Sequence, residues 1–183
     1  MIIIIVGMPG SGKDIFVQSA RKLGFTHIAM GDVVRTFAAM SNSESDDSSI
    51  GGFASSERQK HGVAVWAERT IARMPSGNVI IDGSRSLDEI DLFRKKLGQS
   101  LLIVAITAPA EERFRRLGLR GRDDAPQTID DLKRRDEREL SWGIGKAIGS
   151  ADMTLVNDVS LDGFKIKCLA LLETQLETHG KSI

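Results

Sequence analysis

The chain has 183 residues, with 25 Lys plus Arg balanced by 25 Asp plus Glu. That size suits one α/β domain around one substantial core, and the zero formal charge argues against a general nucleic-acid binder. The single cysteine, Cys168, forms no intrachain disulfide, and no apolar run reaches membrane-spanning length. The apolar start lacks a basic preface, so no leader is expected and the composition suits the cytoplasm.

Ile2 to Val6 is an unbroken β-branched run, which predicts a strand buried on both faces. Gly7-Met8-Pro9-Gly10-Ser11-Gly12-Lys13 then spells G-x-x-x-x-G-K, with Asp14 where Ser or Thr is usual. Such glycines let backbone N–H groups turn inward on a phosphate, Lys13 reaches the β- and γ-phosphates, and the next helix points its N-terminus at the same anion. A ligand-free Gly-rich turn would use the same glycines. The buried-type strand before them, and Phe16, Ala20 and Leu23 at helical spacing after them, favour the phosphate loop.

Lys13 to Leu23 reads as a helix closed by Gly24, and Phe25 to Met30 as a short strand holding a packed His27. Gly31, Asp32 and Arg35 follow at the C-terminal end of that strand, the edge where parallel sheets bind ligands. Asp32 can equally be a plain N-cap. Met40 to Ser56 is polar and Gly-bearing and predicts a mobile loop. Ser55 to Met74 follows as one helix, with Val63, Trp66, Ala67, Thr70 and Ile71 near helical spacing. It carries Arg69 as a solvated charge and Arg58 as a candidate substrate contact.

After the turn at Pro75–Gly77, Asn78 to Ile81 leads into Asp82, a carboxylate at a buried strand end that can hold Mg²⁺ beside a phosphate. Gly83 permits close backbone approach, and Arg85 projects over the cleft. Leu87 to Leu97 reads as an amphipathic helix ended by Gly98, Leu101 to Ile106 as a central strand, and Ala110 to Leu117 as a helix. Arg113, Arg115, Arg116, Arg120 and Arg122, with Gly118, Gly121 and Pro126, predict a flexible arginine loop able to close over a nucleotide. Thr128 to Leu140 is a charged helix with Asp130 and Arg134, and Asp131 and Arg135, at i,i+4. Ser141 to Gly145 breaks it. Met153 to Val156 is the last strand, followed by Asn157 and a helix from Leu161 to Leu176 that packs Cys168. Five strands alternating with helices predict an α/β, three-layer fold: a five-stranded parallel sheet with helices on both faces.

Taken together, the chain resembles the P-loop nucleoside-monophosphate kinases, and more closely an archaeal family of adenylate-kinase-related, dephospho-coenzyme-A-kinase-like proteins. The resemblance runs through residues 7–13, 30–35, 81–86, 121–124 and 135–145, nearly the whole chain. It implies a single kinase domain over residues 1–183, with an acceptor-binding insertion at about 31–74 and a lid at about 118–136. It implies ATP on Gly7, Met8, Pro9, Gly10, Ser11, Gly12, Lys13 and Asp14. The acceptor would lie on Gly31, Asp32, Arg35, Gly83 and Arg85, and Mg²⁺ on Asp82 and Asp14. Arg122 would reach the donor phosphates, Asn157 would wall the donor base pocket, and Arg134, Arg135 or Arg138 would supply a second lid arginine. The implied chemistry is transfer of the γ-phosphoryl of Mg·ATP to a phosphate-bearing acceptor such as AMP, with Lys13, Asp82, Arg85 and Arg122 catalytic. A nucleotide-binding switch without an acceptor, or a dephospho-coenzyme-A-type kinase, are the alternatives. Partners are small-molecule nucleotides, with neither membrane nor nucleic acid expected. Two departures stand out: Asp14 replaces a hydroxyl and brings a charge that repels phosphates, and the Ser-rich stretch 41–56 has no clear counterpart in adenylate kinases.

Overall fold

The computed structural model describes residues 1–41, 47–121 and 125–180. Five strands form where they were expected: β1 (Ile2–Val6), β2 (Thr26–Ala29, shorter than the expected Phe25–Met30), β3 (Val79–Asp82), β4 (Leu101–Thr107) and β5 (Met153–Val156). They lie in the order β2-β3-β1-β4-β5, and every pairing is parallel. Ile5 and Ala29 both stand in register with Asp82, and Val6 with Ala105, so the strand ends that bear the motifs share one edge.

Because β1 is central, its side chains have no solvent face. Ile4 and Val6 pack into a core with Trp66, Ile90 and Phe93 on one side of the sheet. Ile3 and Ile5 pack with Phe16, Phe164, Cys168 and Leu172 on the other. The helices divide accordingly. α1 (Lys13–Lys22) and α9 (Leu161–Gly180) cover one face. The other face is covered by α2 (Met30–Met40), α3 (Asp47–His61), α4 (Val65–Ile71), α5 (Leu87–Leu97) and α8 (Ile144–Gly149). α6 (Ala110–Leu119) and α7 (Ile129–Ser141) stand against each other at the motif-bearing edge. Among the described residues no helix is long and apolar enough to cross a membrane.

Five expectations change. The stretch expected to be a loop is helical from Asp47 onward, while its residues 42–46 lie outside the described residues. The helix expected over 55–74 is two helices, α3 and α4, parted at Gly62, whose φ of 99° ends α3. Their tertiary anchor is Trp66, fully buried, whose Nε1 donates to the Ala54 carbonyl at 3.1 Å. Arg113, Arg115 and Arg116 are helical, on an α6 that runs through Gly118 to Leu119. On α7 the acidic residues of the first turn pair at i,i+3 instead, Asp130 with Lys133 and Asp131 with Arg134, and the Asp131 carboxylate also accepts from the N-cap residue Thr128 in a capping box. After the break at Gly143 (φ 98°) the chain forms α8, a short helix absent from the expectation.

Candidate active site

β1 delivers the phosphate loop to the centre of the sheet edge. At Gly7 a Cβ would stand 2.3 Å from the Ile106 carbonyl of β4, so only glycine lets the chain leave the strand this close to its neighbour. Gly12, at φ 109°, is the left-handed residue that turns the loop into α1. A Cβ there would meet Asn157 Nδ2 at 2.3 Å. Asn157, 4% exposed, donates from that Nδ2 to the Ser11 carbonyl at 2.8 Å. Its own Oδ1 and carbonyl accept from Arg116 Nη2, both at 3.2 Å. The residue expected to wall a base pocket thus splints the loop.

Lys13 Nζ donates to the Gly7 and Met8 carbonyls at 2.7 and 3.3 Å. Burial pushes its ammonium below the ordinary lysine range, and the carboxylates of Asp82 and Glu139 oppose that shift. Asp82 ends β3, and its Oδ1 is buried with no hydrogen bond to the described residues. Asp14 forms an ion pair with Arg120 at the end of α6.

A cavity of about 160 Å³ opens beside the loop, lined by Lys13, Asp14, Arg85, Arg120, Arg135 and Glu139. Arg85 faces Glu139 through Nε at 3.4 Å, and its guanidinium lies 4.9 Å from the Trp142 ring centroid. Of the three arginines left open on α7, Arg135 lines this chamber, Arg134 pairs with Asp131, and Arg138 lies over Trp142. A second cavity of about 400 Å³ adjoins it across Gly10, Gly12 and Arg120, bounded by Ile15, Asn157 and Phe164.

The other expected residues stand apart. α2 begins at Met30 with Ala29 as N-cap, so Asp32 lies inside the first turn rather than capping it. Asp32 holds Arg35 in an exposed ion pair, and neither residue lines the chamber. Gly31 sits under Arg35, and Gly83 (φ 102°) packs against Met30. Arg58 reaches Glu89 Oε1 at 3.4 Å, and Glu89 Oε2 accepts from the backbone N–H of Arg85 at 2.9 Å. Arg58 therefore supports the Arg85 loop from behind. Arg122 lies outside the described residues.

Two features escape a reading of the sequence. Arg113, 6% exposed, forms a two-pronged pair with Asp136 at 2.8 and 2.6 Å and donates to the Pro9 carbonyl at 3.3 Å, joining α6, α7 and the phosphate loop. Its partner is 23 residues away, and nothing in a run of arginines marks which one is internal. Glu139 is buried in the chamber wall; its signal was an acidic residue among α7 arginines in the stretch 135–145.

The site can therefore hold a polyanion on backbone N–H groups and four cationic side chains. For a divalent cation, Asp82 offers the unsatisfied oxygen. Among the described residues no group of three or more His, Cys, Asp or Glu is placed to hold a metal.

Comparison with known proteins agrees with this geometry. Residues 6–133 match the family described as AAA domain. A UPF0200 protein of Thermoplasma acidophilum is 42% identical over 181 residues, covering 98% of this chain and 99% of that protein. One from Hyperthermus butylicus is 40% identical over 175 residues, covering 94% and 93%. A solved shikimate kinase from Bacteroides thetaiotaomicron superposes with a TM-score of 0.61 at 16% identity, over 94% of this chain and 98% of that one. A gluconokinase from Sinorhizobium meliloti does so at 0.56 and 15%, over 98% and 95%. The two solved kinases establish the fold, and the two relatives establish the kinship: the chain belongs to the UPF0200 family, on a P-loop kinase fold.

Proposed function

We propose that the protein transfers the γ-phosphoryl group of Mg·ATP to an acceptor that itself bears a phosphate, with AMP the simplest case and dephospho-coenzyme A a larger one. The observation that carries this reading is the chamber: Lys13, Arg85, Arg120 and Arg135 converge on the mouth of the phosphate loop. Phosphoryl transfer needs little covalent help from a protein and much positioning and charge neutralisation, which is what such a constellation provides.

Lys13 would leave the Gly7 and Met8 carbonyls for the β- and γ-phosphates. Arg120 and Arg135 would hold the transferring group, with Arg122 as a further donor, and Arg85 would hold the acceptor. Gly31, Asp32 and Arg35 would bound the acceptor's far end. Asp82, with Asp14, would hold Mg²⁺, which when bound supplies charge neutralisation across the β- and γ-phosphates. The larger cavity beside Asn157 and Phe164 suits the donor base, with apolar walls against its faces.

One observation favours a second reading. Asp14 already holds Arg120, so the loop as built is closed by an internal pair, as a nucleotide-responsive switch without an acceptor would require. A coupled assay with AMP, CMP, UMP and dephospho-coenzyme A separates the two. Acceptor-dependent ADP formation supports the kinase. Silence from every acceptor, under conditions where calorimetry shows ATP bound, sinks it.

A further inference from the structure

α7 carries two carboxylates one turn apart, and the fold treats them differently. Asp136 is gripped at both oxygens by Arg113, at 2.8 and 2.6 Å. That is the ordinary way to keep a charge out of water. Glu139 is 7% exposed, and among the described residues its one ion-pair contact is to Arg85 Nε at 3.4 Å. A carboxylate held at a cavity wall by one long contact has lone pairs open to a ligand.

Glu139 lines the phosphate chamber and acts electrostatically on Lys13. Its sign is wrong for holding phosphate. It is a poor strut for Arg85, whose guanidinium rests on Trp142. What a carboxylate beside the acceptor arginine can do is accept a hydrogen bond from an attacking O–H group. A phosphate nucleophile is already ionised near neutral pH: it has no proton to give, and Glu139 would repel it.

We infer that Glu139 is the general base of the reaction, and that the acceptor attacks through a hydroxyl while Arg85 grips its phosphate. This rests on the phosphotransfer reading above and selects among its acceptors. The hydroxyl oxygen forms a bond to the γ-phosphorus as the bond from that phosphorus to the β,γ-bridging oxygen breaks. ADP leaves with the electron pair, and the hydroxyl proton passes to the Glu139 carboxylate, which returns it to solvent. Water can take the place of the hydroxyl, giving slow ATP hydrolysis by the same route.

The test uses the full chain with Mg·ATP and three nucleophiles: AMP through its phosphate, dephospho-coenzyme A through its ribose hydroxyl, and water alone. Wild type is expected to use the hydroxyl or water in preference to the AMP phosphate. Glu139→Gln should bind ATP with a KM within about threefold of wild type while kcat falls on the order of 10²- to 10³-fold. Glu139→Asp should retain part of the rate. If Glu139→Gln unfolds, Glu139→Asp alone decides: a lowered kcat at unchanged Tm supports the base, and an unchanged kcat overturns it. A Glu139→Gln rate within twofold of wild type, or AMP converted to ADP at full rate by that variant, overturns the base and leaves phosphotransfer standing. A wild type that binds ATP but is inert towards all three nucleophiles overturns both.

Discussion

Asp14 and Arg120 occupy each other at the entrance of a loop built for phosphate. A carboxylate at that position repels a bare polyphosphate, and its arginine must be released before it can serve a ligand. Replacing Asp14 with Ser should therefore strengthen binding of metal-free ATP on the order of fivefold to tenfold, a gain read by calorimetry in EDTA. Weaker or unchanged metal-free binding would remove Asp14 from the phosphate site. Lys13 makes a complementary case. Burial lowers its pKa, so the folded chain gives up this proton below the ordinary 10.5 at which the unfolded chain does. Between those two values the unfolded state binds more protons, and the sign of the linkage makes stability rise with pH. Lys13→Met should abolish turnover, lose that rise, and at neutral pH hold or raise Tm by a few degrees. A clear drop in Tm would mean that the contacts to the Gly7 and Met8 carbonyls outweigh the buried charge.

Among the elements, α6 and α7 are joined to the loop by one internal pair. Arg113→Ala would leave the half-buried Asp136 unanswered and free the Pro9 carbonyl, at an expected cost of about 1–3 kcal/mol. Denaturant unfolding measures it, and a loss under about 1 kcal/mol would show that the pair is dispensable. These elements also mark how far a reading of the sequence reaches. The strands are legible because β-branched runs such as Ile2–Val6 have few other uses, and the phosphate loop because its glycines are demanded by the close approach of β4 and Asn157. The polar stretch before Trp66 is not legible. Its composition argues for a loop, and the contacts that make it helical, such as Trp66 to Ala54, are tertiary. The site divides along the same line. Lys13, Asp14 and Arg85 line one chamber, whereas Asp32 and Arg35 hold each other outside it. Arg113, Arg120 and Glu139 take their importance from partners that no local pattern announces.

At the scale of the whole molecule, the sheet separates two cores, and α9 seals one of them with Phe164, Cys168 and Leu172 on a single stripe. Burial pushes the Cys168 thiol up to about 12, so both exposure and thiolate are lacking in the folded state. Labelling by a thiol reagent at neutral pH should therefore proceed no faster than global unfolding, as timed by circular dichroism under the same conditions. Faster labelling would show that α9 peels away by itself.

The central place of β1 sets an order of events as the chain leaves the ribosome. β1 is flanked by β3 and β4, so its two neighbours emerge only with residues 79–82 and 101–107. The splint on the Ser11 carbonyl, Asn157, comes later still. The phosphate loop is thus written long before its splint, and a nascent chain stopped before Asn157 should carry every loop glycine and yet hold nucleotide poorly. Competence for nucleotide would then report that synthesis has passed the final strand.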